Sequence, residues 1–205
     1  MVTTVALAAY GALMALALLI ASWWGINPWG QVTWSWESLD VNLRAVGWGA
    51  LAAIPLVLLL FILDRWTPWP LVPLKESVER EVVPLLEHAS FGDFLLISVA
   101  AGFGEELFFR GLLQAGLAQE LTQASVPYAV PISIAIASII FGLCHWINRE
   151  YALVAAIVGA YLGALLIASD NLLTPITTHA VYDVIAMWYL VNFKRRWRKR
   201  RLSAT

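Results

Sequence analysis

The sequence predicts an all-α, polytopic transmembrane helical bundle of about six spans, with one interfacial amphipathic helix on the cytoplasmic surface. Composition is the first observation behind this. Of 205 residues, 60% are hydrophobic and only 13% charged, and the mean hydropathy is +0.74. A soluble domain carries roughly 25% charged residues, so too little polar surface is left here to cover a globule, and lipid must be the solvent for much of the chain. The second is the recurrence of apolar runs close to the 20 or so residues a span requires. The third is the charge distribution. The net charge of -1 conceals a basic C-terminus of Lys194, Arg195, Arg196, Arg198, Lys199, Arg200 and Arg201, and basic residues near span ends stay cytoplasmic.

Taken in order, the predicted spans cover residues 5–24, 45–63, 94–115, 128–146, 152–168 and 174–193. The breaks carry turn chemistry: Asn27-Pro28, Thr67-Pro68-Trp69-Pro70 and Ser169-Asp170-Asn171. No basic residue precedes the first apolar run, so a retained helix is expected there rather than a signal peptide. Trp23, Trp24, Trp29, Trp34 and Trp36 cluster where the first span ends, as an interfacial belt does. Between the second and third spans, Val78, Val82, Leu85, Leu86 and Ala89 recur at helical spacing among charges. This predicts a surface helix interrupted near Pro84, with a substrate gate as its alternative use. Six spans and a basic tail put both termini in the cytoplasm, with Arg65, Lys75, Arg80 and Arg149 on that side and Arg44 outside. The tail is a topology anchor compatible with anionic lipid; nucleic-acid binding is not expected. The single cysteine, Cys144, forms no internal disulfide.

Charges inside the third predicted span demand a reason. Glu105, Glu106 and Arg110 lie near its middle, and together they oppose insertion by roughly 7–10 kcal/mol unless compensated. Residues four apart share a helix face, so Glu106 and Arg110 can pair. Glu105 is rotated by about 100° from Glu106 and needs a different partner. Two histidines lie within apolar spans. His145 shares a face with Phe141, and His179 shares one with Asp183, which can orient an imidazole by accepting from one ring nitrogen. His88 falls in the surface segment and is expected to be solvated. Cys144 points about 100° from its neighbour His145, which argues against a Cys–His nucleophile.

These residues compose three separated patterns, EExxxR (Glu105, Glu106, Arg110), FxxxH (Phe141, His145) and HxxxD (His179, Asp183), in order on three apolar spans. The chain thereby resembles the CPBP group, the CAAX proteases and bacteriocin-processing enzymes, over roughly residues 91–191. Gly111 after Arg110 and Pro175 before His179 match as well. The resemblance implies an intramembrane endopeptidase whose core covers residues 75–193, after two N-terminal spans in 1–74 and before a basic tail in 194–205. By motif position, Glu105 and His145 would activate a water, His179 with the residue at 183 would form the oxyanion site, and Glu106, Arg110 and Phe141 would support them. The eukaryotic CAAX endopeptidase has asparagine where this chain has Asp183. An ionised carboxylate cannot donate to an oxyanion, so Asp183 either is protonated or orients His179, which donates alone.

No cofactor is expected. The rival chemistry is zinc, with Glu105, His145, His179 and Asp183 as ligands, but the HExxH helix of zinc proteases is absent. The implied partners are membrane lipid and a peptide or protein substrate, lipidated if it follows the eukaryotic branch. Two other functions compete: a non-catalytic immunity or scaffold protein that keeps the polar cluster as a pocket, and a proton-coupled transporter, which the lack of a repeat disfavours. The span boundaries also pose a conflict of depth. They put His145 near the cytoplasmic end of its span and His179 near the outer end of its own, whereas Glu105 lies midway. Helix tilt, or a turn at Asn148, Arg149 and Glu150 sunk into a cavity, would be needed to bring the three together.

Overall fold

The computed structural model describes residues 2–30 and 32–202, with side chains through 192; the side chains of the basic tail lie outside the described residues. Helices occupy every predicted span. They are α1 (Val2–Trp24), α2 (Leu39–Arg65), α3 (Trp69–Leu86), α4 (Phe91–Gln123), α5 (Ala129–Cys144), α6 (Arg149–Ser169) and α7 (Leu173–Leu202). Among the described residues the extended backbone pairs only at an isolated bridge between Gly30 and Asn171.

Three helices are long and apolar enough to cross a membrane by themselves: α1, α2 with its lead-in turn, and α6. A fourth crossing follows if α3 and α4, bent by 113° at the break between them, are counted as one interrupted span. The six predicted crossings are therefore six helical segments of unequal apolarity. The charges in α4 lower its apolarity, and α5, at 16 residues, is only about 24 Å long against a hydrocarbon core of about 30 Å. The chain is an integral membrane protein.

The helix ends follow local chemistry. Ser90 and Asp93 form a reciprocal capping box at the start of α4, with Asp93 N donating to Ser90 Oγ at 3.2 Å and Ser90 N to Asp93 Oδ2 at 2.8 Å. Thr3 Oγ1 donates to the other Asp93 oxygen at 2.7 Å, tying the first turn of α1 to α4. Asp170 closes α6 in the left-handed conformation (φ 49°), and Asn171 Oδ1 accepts from Leu173 N at 2.9 Å to start α7. The amphipathic segment is helical as expected, but its irregularity precedes Pro84. A π-helical turn spans Val78–Val82, where Val83 N bonds to Val78 O, and this wider turn lets the helix run on through the proline to Leu86.

α7 is the centre of the bundle, packed between α2 and α4, while α5 pairs with α6 and α1 lies along α4. Close approach on both flanks of α7 needs glycine. A Cβ on Gly49 of α2 would stand 2.5 Å from Thr174 O, and one on Gly102 of α4 would stand 2.8 Å from Ile176 O. Thr178 Oγ1 donates to Gly49 O at 2.9 Å across the same α2–α7 contact. The α4–α6 contact is polar: Arg110 Nη2 donates to Gly159 O at 2.9 Å, and Gln114 Nε2 to Gly163 O at 3.1 Å. Trp23, Trp24, Trp34 and Trp36 are exposed, and Trp29 packs edge-on against Trp34, as the interfacial belt requires.

Candidate active site

Glu105 and Glu106 are the last residues of the regular part of α4, and Arg110 lies within a π-helical stretch over Leu107–Gln114. Such widened turns recur at functional sites because they re-aim side chains. Glu106 and Arg110 are fully enclosed, at 0% and 1% exposure. Their ion pair measures 3.0 Å between Arg110 Nη1 and Glu106 Oε1. The guanidinium also lies 4.5 Å from the Phe141 ring centroid and donates to Gly159 O. It is thus held by a carboxylate, a carbonyl and an aromatic face at once, which compensates for burying it.

Glu106 has a second partner that the helix spacing could not reveal. Its Oε1 accepts from His179 Nδ1 at 2.7 Å. His179 therefore has a second carboxylate partner besides the expected Asp183. The short bond comes from another helix, and Asp183 Oδ2 instead faces the far ring nitrogen, Nε2, at 3.4 Å. His179 is 7% exposed, with carboxylate oxygens at both nitrogens.

His145 caps the C-terminal end of α5. Its Nδ1 bonds to Phe141 O at 2.8 Å, and its ring lies over the Phe141 ring at 4.3 Å between centroids. A proton on Nδ1 satisfies that carbonyl and turns Nε2 toward Glu105, whose Oε2 stands 3.4 Å away. The same Glu105 oxygen is 4.0 Å from His179 Nε2. Glu105 is 6% exposed, and among the described residues no donor bonds its Oε2. One buried carboxylate oxygen therefore looks into the gap between two imidazoles.

The expected conflict of depth does not arise. α5 is short, so His145 and the turn after it are recessed into the bundle, and α3 packs across that turn. Asn148 holds the turn. Its Nδ2 donates to Pro73 O at 3.0 Å and to the buried Ser77 Oγ at 2.6 Å, while its Oδ1 caps α6 at Tyr151 N at 2.8 Å. Arg149 and Glu150 are the first turn of α6 rather than part of the loop.

Glu105, His145, His179 and Asp183 open onto a cavity of about 360 Å³. Its walls are apolar: Leu56, Leu59, Leu60 and Leu63 from α2, Leu71, Leu74, Val78 and Val82 from α3, and Ala186, Met187 and Leu190 from α7. Asp64 and Lys75 also line it, bonded to one another at 3.2 Å, with Tyr189 donating to Asp64 at 2.8 Å. Tyr10, Tyr151 and Tyr182 line it too. None of these tyrosines stood out in the sequence, although a lone hydroxyl-bearing ring within an apolar run, as at Tyr10, is a signal of the same kind as the histidines. His88 and Cys144 lie outside the site and are exposed. Among the described residues no group of three or more His, Cys, Asp or Glu side chains is disposed to hold a metal ion.

Residues 87–185 match the family model of type II CAAX prenyl endopeptidases, Rce1-like, which spans just under half of the chain. No curated protein and no solved structure matches the chain. The matched segment contains all seven residues of the three patterns, with α4, α5 and the first part of α7. Over residues 87–185, which carry the polar cluster of this site, the chain is similar to the Rce1-like type II CAAX prenyl endopeptidases.

Proposed function

We propose that this protein is an intramembrane endopeptidase that hydrolyses a peptide bond with a water activated by Glu105 and His145. The observation that carries the reading is the buried Glu105 Oε2, 3.4 Å from His145 Nε2 and 4.0 Å from His179 Nε2. Both separations exceed a good direct hydrogen bond, and a water at the apex between Glu105 and His145 can bond to both. Glu105 accepts one proton from that water, and the oxygen forms its new bond to the scissile carbonyl carbon. The carbonyl π electrons move onto oxygen, and the imidazolium N–H at His179 Nε2 stabilises the oxyanion. A donor of this kind contributes about 2.7–4 kcal/mol in other proteases. Collapse of the intermediate breaks the C–N bond, and the proton held by Glu105 passes to the leaving amine.

Glu106 keeps His179 in register and, with Asp183 at the other nitrogen, favours a ring protonated at both positions. Arg110 balances the charge of Glu106. The substrate class proposed is a lipidated C-terminal peptide. The apolar walls of the cavity suit a prenyl chain, and the polar cluster that opens onto the same cavity supplies the groups that hydrolysis of an adjacent peptide bond needs. Both termini are proposed to be cytoplasmic, on the evidence of the basic tail.

The test uses the full-length protein in liposomes and a farnesylated peptide whose modified cysteine lies three residues from a free carboxylate. Glu105→Gln should abolish cleavage after that cysteine while leaving the thermal unfolding midpoint in place. Cleavage by Glu105→Gln at the wild-type rate would falsify the mechanism. A cellular phenotype that survives Glu105→Ala would instead support a scaffold role.

A further inference from the structure

Tyr10 belongs to α1, well outside the family-matched segment, yet it reaches the polar cluster. Its backbone is seated on Gly104. A Cβ there would stand 2.8 Å from Tyr10 O and 3.3 Å from Tyr10 Cβ, so only glycine lets α1 approach α4 this closely beside Glu105. The Tyr10 side chain lines the cavity that holds Glu105, His145, His179 and Asp183. Gly104, on which Tyr10 is seated, directly precedes Glu105 in α4, so the ring enters the cavity beside that carboxylate. His179 Nε2 stands 4.0 Å from Glu105 Oε2 and 3.4 Å from Asp183 Oδ2. A phenol and an imidazole thus line the same cavity as the two carboxylates.

That arrangement bears on what Asp183 cannot do. An ionised carboxylate accepts hydrogen bonds and repels a developing oxyanion, so position 183 leaves His179 as a lone donor unless another group supplies one. We propose that Tyr10 is a catalytic residue of this site, its hydroxyl acting with His179 Nε2 as the second donor to the oxyanion. The inference rests on the peptidase reading above. In this proposal the phenol proton is directed at Glu105 before reaction. As the carbonyl oxygen gathers charge and Glu105 takes the proton of the water, Glu105 ceases to compete for the phenol, and the O–H turns to the oxyanion. The proton stays on Tyr10 throughout, and no bond to the ring forms or breaks. α1 then supplies part of the machinery rather than only a span.

The experiment is steady-state cleavage of the farnesylated peptide by full-length protein in liposomes, for wild type, Tyr10→Phe, Tyr10→Phe/Asp183→Asn and Glu105→Gln. Tyr10→Phe should lower kcat by about 10²–10³-fold with KM within about twofold, as loss of a donor used only in the transition state does. Its thermal midpoint should match wild type, since the ring is retained and one oxygen removed. Asparagine at 183 brings an amide donor, so the double variant should recover at least about tenfold over Tyr10→Phe. A structural role for Tyr10 would show no such recovery. The inference is overturned if Tyr10→Phe keeps a kcat within about threefold of wild type while Glu105→Gln is inactive, or if the double variant is no faster than Tyr10→Phe. An active Glu105→Gln, or a wild type that leaves the peptide uncut, removes the peptidase reading and this inference with it.

Discussion

Adjacent glutamates on one helix face two different environments. Behind the site, where α4 meets α5 and α6, Glu106 and Arg110 are sealed from any solvent: the guanidinium bonds to Glu106 Oε1 and the Gly159 carbonyl and lies against the Phe141 ring. In front, Glu105 looks into a cavity; among the described residues neither its Oε2 nor the enclosed Glu106 Oε2 has a protein donor. About 100° of helix rotation separates them. A buried charge can serve structure or chemistry, and what divides the uses here is access: Glu105 borders the cavity, whereas Glu106 is enclosed.

Substitution can break that contrast from either side. The largest expected effect is on activity: Glu105→Gln should lose at least about 10³-fold in kcat, within the range for removing a general base, with unfolding unchanged. Behind the site the effect moves to stability. Arg110→Ala leaves Glu106 buried beside an unpaired environment and should destabilise the fold by about 3–5 kcal/mol, read as a large drop in thermal midpoint in detergent. Glu106→Gln lies between the two. It keeps an acceptor for Arg110 but loses the charge that holds His179 Nδ1, so kcat should fall by roughly ten- to a hundredfold, the worth of one charged hydrogen bond. Asn148→Ala removes the cap of α6 and the ties to α3; about 1–2 kcal/mol of stability should be lost, with extra protease susceptibility in α3 as the local readout. Chelation is the smallest test. Cleavage should be unchanged after treatment with a strong chelator, and loss restored by zinc would reassign Glu105, His145, His179 and Asp183 as ligands.

Much of the site was legible because its signals are local. The i, i+4 spacing of Glu106 and Arg110 required only the geometry of one helix, and the structure pairs them at 3.0 Å. Phe141 and His145 share a face for the same reason, although the contact uses the Phe141 carbonyl as well as its ring. Spacing failed where a residue had a choice between a partner on its own helix and one on another. His179 has Asp183 one turn away, yet its shortest bond is to Glu106, which lies 73 residues away along the chain. The depth conflict had the same origin. Span boundaries treat each helix as a full crossing, whereas the short α5 and the packing of α3 over the Asn148 turn recess His145 toward Glu105.

The sequence by itself determined the solvent, the class and the residue types at stake. Composition and apolar runs require helices in lipid, and ionisable residues within those runs need a use to offset their burial. Tertiary structure alone decided which of these groups touch: Glu106 with His179, Glu105 between two imidazoles, Tyr10 beside Glu105, and the amphipathic α3 as a wall of the cavity. The physical reason is that periodicity reports the face of a helix on which a residue lies, not the helix that the face will meet. That second choice depends on where backbones can approach, which here is set by small residues such as Gly102 and Gly104 against α7 and α1.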